Sequence, residues 1–416
     1  MQVFKFGGAS VKDANGVKNV VKVLEKVGHE NTLIVVSAMG KTTNALEVVI
    51  DKYLNEKNTF IAELDTVKNY HRTIMMDLFN NQQDQVFITV QALFNELLQF
   101  FKSNKSPNYN FIYDQVIGYG ELVSTTIISH YLNSLHINNT WLDVRQCIKT
   151  DDYYRRANVN WEITQNSIIS KVKESTLYIT QGFIASDSNN FTTTLGREGS
   201  DYTAAIFAYC LNAQSVTIWK DVPGVLNGDP RYFNNTQLLN TISYTEAIEL
   251  AFYGASVIHP KTLQPLQRKE IPLHVKSFIN PENAGTTVNK SQGIEPKVPC
   301  FILKQNQVLL SLSTLDFSYV VEENISEIFN LLALYKMKVD VIQNSAISFS
   351  VCFENTFNNL EKLLLHLKAK FKVECHENVS LFTIRHYNET AIKSLEQDKT
   401  VFLKQLFQET VQIVTQ

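Results

Sequence analysis

The segment TTTLGREGSDYTAA, residues 192–205, sets one arginine, Arg197, among Gly196, Glu198 and Gly199, then opens an alanine-rich run with Ser200 and Asp201. A guanidinium presents a planar fork that pairs bidentately with a carboxylate. Glycine neighbours let the backbone approach a small charged ligand closely, and Ser200 or Asp201 is expected to cap the helix that follows. Lys5 stands two residues before the pair Gly7-Gly8 in KFGGAS. A helix opening there offers free N–H groups to an anion, and the lysine adds a point cation; a surface lysine beside a tight turn fits equally well. Glu121 in GYGELVST opens a further helix, either as an acid favoured by the helix dipole or as the receptor for an ammonium group. Ser37, Thr42, Thr43 and Asn44 surround Gly40 at another corner, where a plain helix cap is the simpler reading. In IWKDVPGVLNGDPR, turn chemistry accounts for Pro, Gly and Asn. It leaves unexplained two cations, Lys220 and Arg231, near the end of a strand.

Other chemistries lack their residues. The chain holds no G-x-x-x-x-G-K-[ST] phosphate loop and no G-x-G-x-x-G dinucleotide signature. It has no H-E-x-x-H metal set and no G-x-S-x-G nucleophile elbow.

The candidate residues sit at corners between apolar strands and helical patterns. VFKF (3–6), TLIVVS (32–37), TLYITQGF (176–183), SVTIWKDVPG (215–224) and IPLHVKSF (271–278) read as strands. Ser10 and Asp13 form an S-x-x-D capping box before a helix carrying Val17, Val20, Val21, Leu24 and Val27. The repetition predicts an α/β fold, an open and mainly parallel sheet with helices on both faces. Residues 60–115 read as a polar helical lobe inserted between strands. Residues 286–300, rich in Pro, Gly and Asn, read as a linker. Beyond it the order is β-α-β-β-α-β, a split βαβ unit, and a tail of one or two strands.

The chain has 416 residues, 44% of them hydrophobic and 19% charged, with a net charge of −3. That predicts a folded protein of two or three domains with no electrostatic footprint for nucleic acid. Five cysteines without a C-x-x-C pair fit a reducing compartment. No run of ~20 apolar residues is present to span a membrane and no targeting segment is evident, so a cytoplasmic protein is expected.

Taken together, KFGGAS, VVSAMGKTTNAL, GYGELVST, TQGFIASD, TTTLGREGSDYTAA, WKDVPGVLNGDPR and FYGASVIHPKTL resemble, in that order, the aspartate kinases of the amino acid kinase family. The tail resembles that family's ACT regulatory region. The resemblance implies a three-layer, carbamate kinase-like catalytic domain over 1–285 and a linker over 286–300. It also implies a ferredoxin-like ACT region over 301–416, with one full module and a second lacking a helix and a hairpin. The implied reaction moves the γ-phosphoryl group of MgATP to the β-carboxylate of L-aspartate, with ATP as co-substrate and Mg²⁺ as its ion. Such an acceptor, with a pKa of about 4, needs no general base. Lys5 is then expected at the transferring phosphoryl group and Asp201 as its orienting partner. Arg197 is expected at the substrate α-carboxylate and Glu121 at the α-ammonium. Ser37, Thr43, Phe183, Thr194 and Ser200 match the remaining substrate positions. Gly7, Gly8, Lys220, Asp221, Leu226 and Arg231 match the nucleotide side. Asp340, Asn344 and Ser345 match effector positions for lysine or threonine, and a homodimer or homotetramer is implied.

Two departures stand out. Glu198 replaces a frequent glycine and is expected to face outward or pair with a cation. Ser256 stands where many members carry a nucleotide-binding lysine, for which Lys261 is expected to substitute. A kinase for another acidic amino acid, or a degenerate amino-acid-sensing ACT protein, are the alternatives.

Overall fold

The computed structural model describes residues 1–56, 59–255, 258–316 and 318–416; Ser256 lies outside them. The chain divides into two compact units. The first comprises Met1–Val225, Leu238–Ile248 and Ile258–Ile294, and the second Leu226–Gln237, Glu249–Val257 and Glu295–Gln416.

The strands of the first unit are β1 (Gln2–Phe6), β2 (Thr32–Val36), β3 (Thr140–Leu142), β4 (Tyr178–Gln181), β5 (Ile184–Ser186), β6 (Thr192–Thr194), β7 (Ser215–Lys220), β8 (Thr241–Ser243), β9 (Leu273–Ser277), β10 (Thr286–Asn289) and β11 (Ile294–Glu295). Nine of them form one sheet in the order β11-β8-β10-β9-β7-β1-β2-β4-β3, with β5 and β6 as a separate hairpin. From β9 through β7, β1, β2 and β4 to β3 every pairing is parallel.

Strand side chains alternate between faces. Phe4 and Phe6 are buried on one face, each stabilising the fold by about 1.5–3 kcal/mol, in a core shared with Ile34, Val36 and Trp219. Lys5, between them, points to the other face. The helices are α1 (Ala14–Val27), α2 (Thr42–Asn55), α3 (Phe60–Leu78), α4 (Gln85–Ser103), α5 (Tyr109–Ile117), α6 (Tyr119–Ser134), α7 (Trp161–Lys171), α8 (Gly199–Leu211), α9 (Tyr244–Tyr253) and α10 (Pro260–Arg268). Helices α1–α6 contribute to the core holding Phe4 and Phe6. Helix α8 lies against β1, β2 and β7, and α7 and α10 lie against α8. The result is the expected three-layer α/β architecture.

Four local expectations are corrected. Residues 60–115 are helical, but Phe60, Leu64, Phe94 and Phe101 join the core of the main sheet, so they form part of a layer and not a separate lobe. The cap of α1 is Asp13, whose carboxylate accepts from Gly16 N at 2.8 Å; Ser10 sits in a short 3-10 turn and donates to Trp219 O. The N-cap of α8 is Glu198, with left-handed backbone at φ 54°. Neither Ser200 nor Asp201 serves, because both are already inside the first turn. Within the stretch read as a linker, Thr286–Asn289 pairs with β9 and β8. It is too short to announce itself among the surrounding Pro, Gly and Asn residues.

The second unit carries β12 (Cys300–Thr314), α11 (Glu322–Leu334), β13 (Lys338–Asn344), β14 (Phe349–Glu354), α12 (Leu360–Lys368), β15 (Phe371–Arg385), α13 (Glu389–Glu396), β16 (Val401–Phe407) and β17 (Thr410–Thr415). Its sheet, ordered β13-β14-β12-β15-β17-β16, is antiparallel throughout. Register shifts between Lys304 and Leu309 divide the β12–β15 ladder. One half, with α11, β13, β14 and α12, encloses a β-α-β-β-α-β core around Phe349, Phe353 and Leu363. The other half, with α13 and the β16–β17 hairpin, packs Phe382, Ile392, Leu395 and Ile413. The tail, expected to add one or two strands, adds two, and before them stands a helix, α13, short enough to escape a periodicity reading. Phe233 packs on Phe301 with ring centroids 5.2 Å apart, and Asn227 bonds Pro299 O at 2.8 Å. Those contacts explain why residues 226–237 belong to this unit.

Candidate active site

Adjacent parallel strands β7, β1, β2 and β4 end side by side, and their loops are knitted together. Ser37 N donates to Phe6 O at 3.1 Å, Gly40 N to Gly8 O at 3.0 Å and Gly182 N to Val36 O at 2.9 Å. Open α/β sheets bind ligands at this carboxyl edge. A cavity of about 1040 Å³ lies there, lined by Lys5, Gly8, Ser37, Thr43, Glu121, Phe183, Arg197, Ser200, Asp201 and Lys220. Most of the residues expected at a site from the sequence are thus brought together.

Lys5 Nζ and Asp201 form an ion pair at 2.6 Å, with the two side chains 12% and 5% exposed. Asp201 sits in the first turn of α8, where the helix dipole favours its charge. The ammonium is held over Gly7, where an added Cβ would lie 3.4 Å from Nζ. Glu121 is 3% exposed. One carboxylate oxygen accepts from Ala38 N at 3.3 Å, and the other has no hydrogen-bond partner among the described residues. Burial pushes its pKa up to about 8, against the opposing bond from Ala38. A buried acid with one oxygen unpartnered, in a cavity wall, can receive a cation.

Close backbone approach here depends on glycine. A Cβ on Gly182 would meet Ser200 Cβ and Oγ at 2.5 Å, and one on Gly199 would meet the Phe183 ring at 2.7 Å. Gly182→Ala is therefore expected to displace the first turn of α8. Overpacking of this kind costs about 1–3 kcal/mol, and we expect kcat/KM to fall about tenfold or more. Steady-state kinetics beside denaturant unfolding checks both numbers.

Three loops around the cavity carry left-handed, non-glycine residues: Arg155 (φ 69°), Phe183 (φ 69°) and Glu198 (φ 54°). Such backbone costs of order 1–3 kcal/mol and persists where its surroundings over-determine it. Phe183 N donates to Thr203 Oγ1 at 3.0 Å. Glu198 is half-buried and makes no salt bridge among the described residues; its carboxylate accepts from His259 N at 2.9 Å, tying the arginine loop to the start of α10.

Other expected residues lie elsewhere. Thr194 is fully buried and gives its hydroxyl to Asp114 at 2.8 Å, so it faces away from the cavity. Lys261 is half-buried in the first turn of α10 and is not in the cavity wall. Asp221 follows Lys220 as an exposed residue. Leu226 and Arg231 belong to the second unit, where Arg231 is engaged by Asp229 at 2.5 Å. Asp340 of β13 is paired with Lys304 at 2.7 Å. Asn344 is exposed, and Ser345 bonds Ser348 at 2.7 Å.

Sequence reading missed Asp114, Arg155 and Arg156. Asp114 is an acid inside the apolar run FIYDQVI, and a lone charge in such a run is the signal that could have marked it. Burial raises its pKa to about 6, against bonds from Arg155 and Thr194. Arg155 and Arg156, from DDYYRR, line the cavity.

A lysine–aspartate pair, an arginine fork with no ion pair and a buried acid with one unsatisfied oxygen among the described residues, all at the edge of a parallel sheet, suit a phosphotransferase for a small charged acceptor. The amino acid kinase family profile matches residues 1–277, and the chain belongs to that family. It is 31% identical over 393 residues to the lysine-sensitive aspartokinase 3 of Escherichia coli, covering 92% of this chain and 86% of that protein. A crystal structure of E. coli aspartokinase III in complex with lysine and aspartate aligns with a TM-score of 0.84 at 28% identity, covering 100% of this chain and 95% of that one. A structure of that enzyme with aspartate and ADP gives 0.80 at 28% identity, covering 100% and 96%. Among the described residues, no helix is long and apolar enough to cross a membrane.

Proposed function

We propose that this chain is an aspartate kinase that transfers the γ-phosphoryl group of ATP to the β-carboxylate of L-aspartate, giving 4-phospho-L-aspartate. The observation that carries the reading is the cavity itself, which gathers the Lys5–Asp201 pair, Arg197 and the half-satisfied Glu121 in one place. The E. coli aspartokinase structures, by name, hold aspartate with ADP or with lysine.

The acceptor is already an anion, so the difficulty is repulsion between two anions, and catalysis is positioning and charge neutralisation. Glu121 takes the α-ammonium and Arg197 the α-carboxylate, which leaves the β-carboxylate directed at the phosphoryl group. Lys5, fixed by Asp201, neutralises charge on that group as it moves. Ser37, Thr43, Phe183 and Ser200 shape the acceptor pocket; Thr194 holds its wall from behind. Gly7, Gly8 and Lys220 serve the phosphates, with Asp221, Leu226, Arg231 and Lys261 assigned to the nucleotide by resemblance. Mg²⁺ supplies further neutralisation of the phosphates. Mg²⁺ prefers phosphate and water oxygens, which would hold it here. The second unit is assigned feedback control by lysine around Asp340, Asn344 and Ser345, in a homodimer or homotetramer.

The test is formation of aspartyl hydroxamate from aspartate, ATP, magnesium and hydroxylamine. We expect product that disappears with EDTA and declines on adding lysine. Product from glutamate but none from aspartate would overturn the acceptor assignment.

A further inference from the structure

Asp114 on α5 is fully buried and joins two loops far apart in sequence. Its carboxylate accepts Arg155 N at 2.9 and 3.1 Å, Thr194 N at 2.9 Å and the Thr194 hydroxyl at 2.8 Å. Ala157 N donates to Thr194 O at 3.0 Å. The next loop residues are then pressed together: a Cβ on Gly196 would sit 3.3 Å from Arg155 O and 3.6 Å from Arg156 Cγ. The left-handed turn at Arg155 is thus held against the residue that precedes Arg197.

The side chain of Arg155 is also placed. Its guanidinium carbon lies over the Tyr113 ring, 4.4 Å from the centroid, and 5.6 Å from that of Tyr109. Tyr113 is itself buried and donates to Glu47 at 3.2 Å. A cation–π contact holds a guanidinium through its charge and spends none of its N–H groups on a hydrogen bond to an anion. Both Arg155 and Tyr113 line the cavity. Fixing a long side chain costs entropy, and the strained turn adds to that cost. The residue is exposed, so burial does not offset that cost.

We propose that Arg155 is a specificity-determining residue of the acceptor site, sharing the substrate α-carboxylate with Arg197, and that Asp114 is the positioning residue that holds it there. This rests on the aspartate kinase reading and refines it: one end of the acceptor is gripped by two arginines carried on loops that a single buried acid brackets together.

The α-amide of aspartate keeps the ammonium and the β-carboxylate but lacks the α-carboxylate charge. The test compares kcat/KM for aspartate with that for the α-amide in the full chain. Arg155→Gly removes the guanidinium while easing the left-handed backbone, so it should fold. A charge-assisted bond is worth about 1.5–3 kcal/mol, so the preference for aspartate over its amide should fall about tenfold or more. Asp114→Asn, which sets an NH₂ against N–H donors, should lower the same preference. A change that was only structural would lower both substrates together. An unchanged preference in Arg155→Gly, whatever its overall activity, overturns the proposal. A wild-type chain that phosphorylates neither compound overturns the functional reading instead.

Discussion

Lys5→Met is expected to lower kcat by at least about 10²–10³-fold, the usual loss when one preorganised charge at a reacting group is removed. The ammonium is 2.6 Å from Asp201 and largely shielded from water, so it acts at low dielectric and is already in place when charge shifts between the two anions. The same substitution strands Asp201 as a buried, unpaired carboxylate. Removing one member of a buried pair costs about 3–5 kcal/mol, so Lys5→Met should also unfold at lower denaturant. The double variant Lys5→Met/Asp201→Asn separates the two effects: it should regain most of the lost stability and none of the activity. Hydroxamate kinetics and urea unfolding on the three proteins measure this. Recovery of activity in the double variant would show that Lys5 serves the fold alone.

The second large effect is a dependence on pH. Glu121 in the empty protein has its pKa pushed up to about 8 by burial, so at neutral pH it is mostly protonated. Pairing with an ammonium requires the carboxylate. Each aspartate bound below about pH 7 should therefore release close to one proton. The KM for aspartate should fall about tenfold per unit as pH rises towards 8, then level off. Stability runs the other way. A carboxyl group whose folded pKa lies above its unfolded value favours the fold most below the unfolded pKa, and that contribution is lost as pH rises through about 8. The free protein should thus lose stability across the range in which it gains affinity. Glu121→Gln should flatten both curves and raise the KM by about 10–100-fold, the worth of a bond to a charged group. Calorimetry in buffers of differing ionisation enthalpy counts the protons directly. No proton release at pH 6.5 would mean that Glu121 does not receive the ammonium.

What could be read from the sequence follows from how local each signal is. Lys5, Glu121, Arg197 and Asp201 each lie in a short motif near a strand end or helix start, so the motifs mark them as candidates, and the order of those motifs, through the resemblance, assigns their roles. Arg155 becomes functional only because Asp114, 41 residues away, and Thr194, 80 residues from Asp114, meet around it. No short window contains that information. Thr194 shows the same limit from the other side: its motif is recognisable, but a buried acid from α5 claims its hydroxyl. Strand β10 and helix α13 are short elements whose existence depends on tertiary partners, β9 and β8 for the first and the Phe382–Ile413 core for the second. Phe233 pairs with Phe301, a contact that puts Leu226 and Arg231 in a unit the linear order does not suggest.

Catalysis here requires opposite charges to meet in one cavity, and a crystal structure with aspartate and a non-hydrolysable ATP analogue tests that most directly. The prediction is an aspartate whose ammonium lies within hydrogen-bond distance of Glu121 Oε2, whose α-carboxylate is gripped by Arg197, and whose β-carboxylate faces a γ-phosphate touched by Lys5. Aspartate bound with its ammonium away from Glu121, or a γ-phosphate out of reach of Lys5, would contradict it.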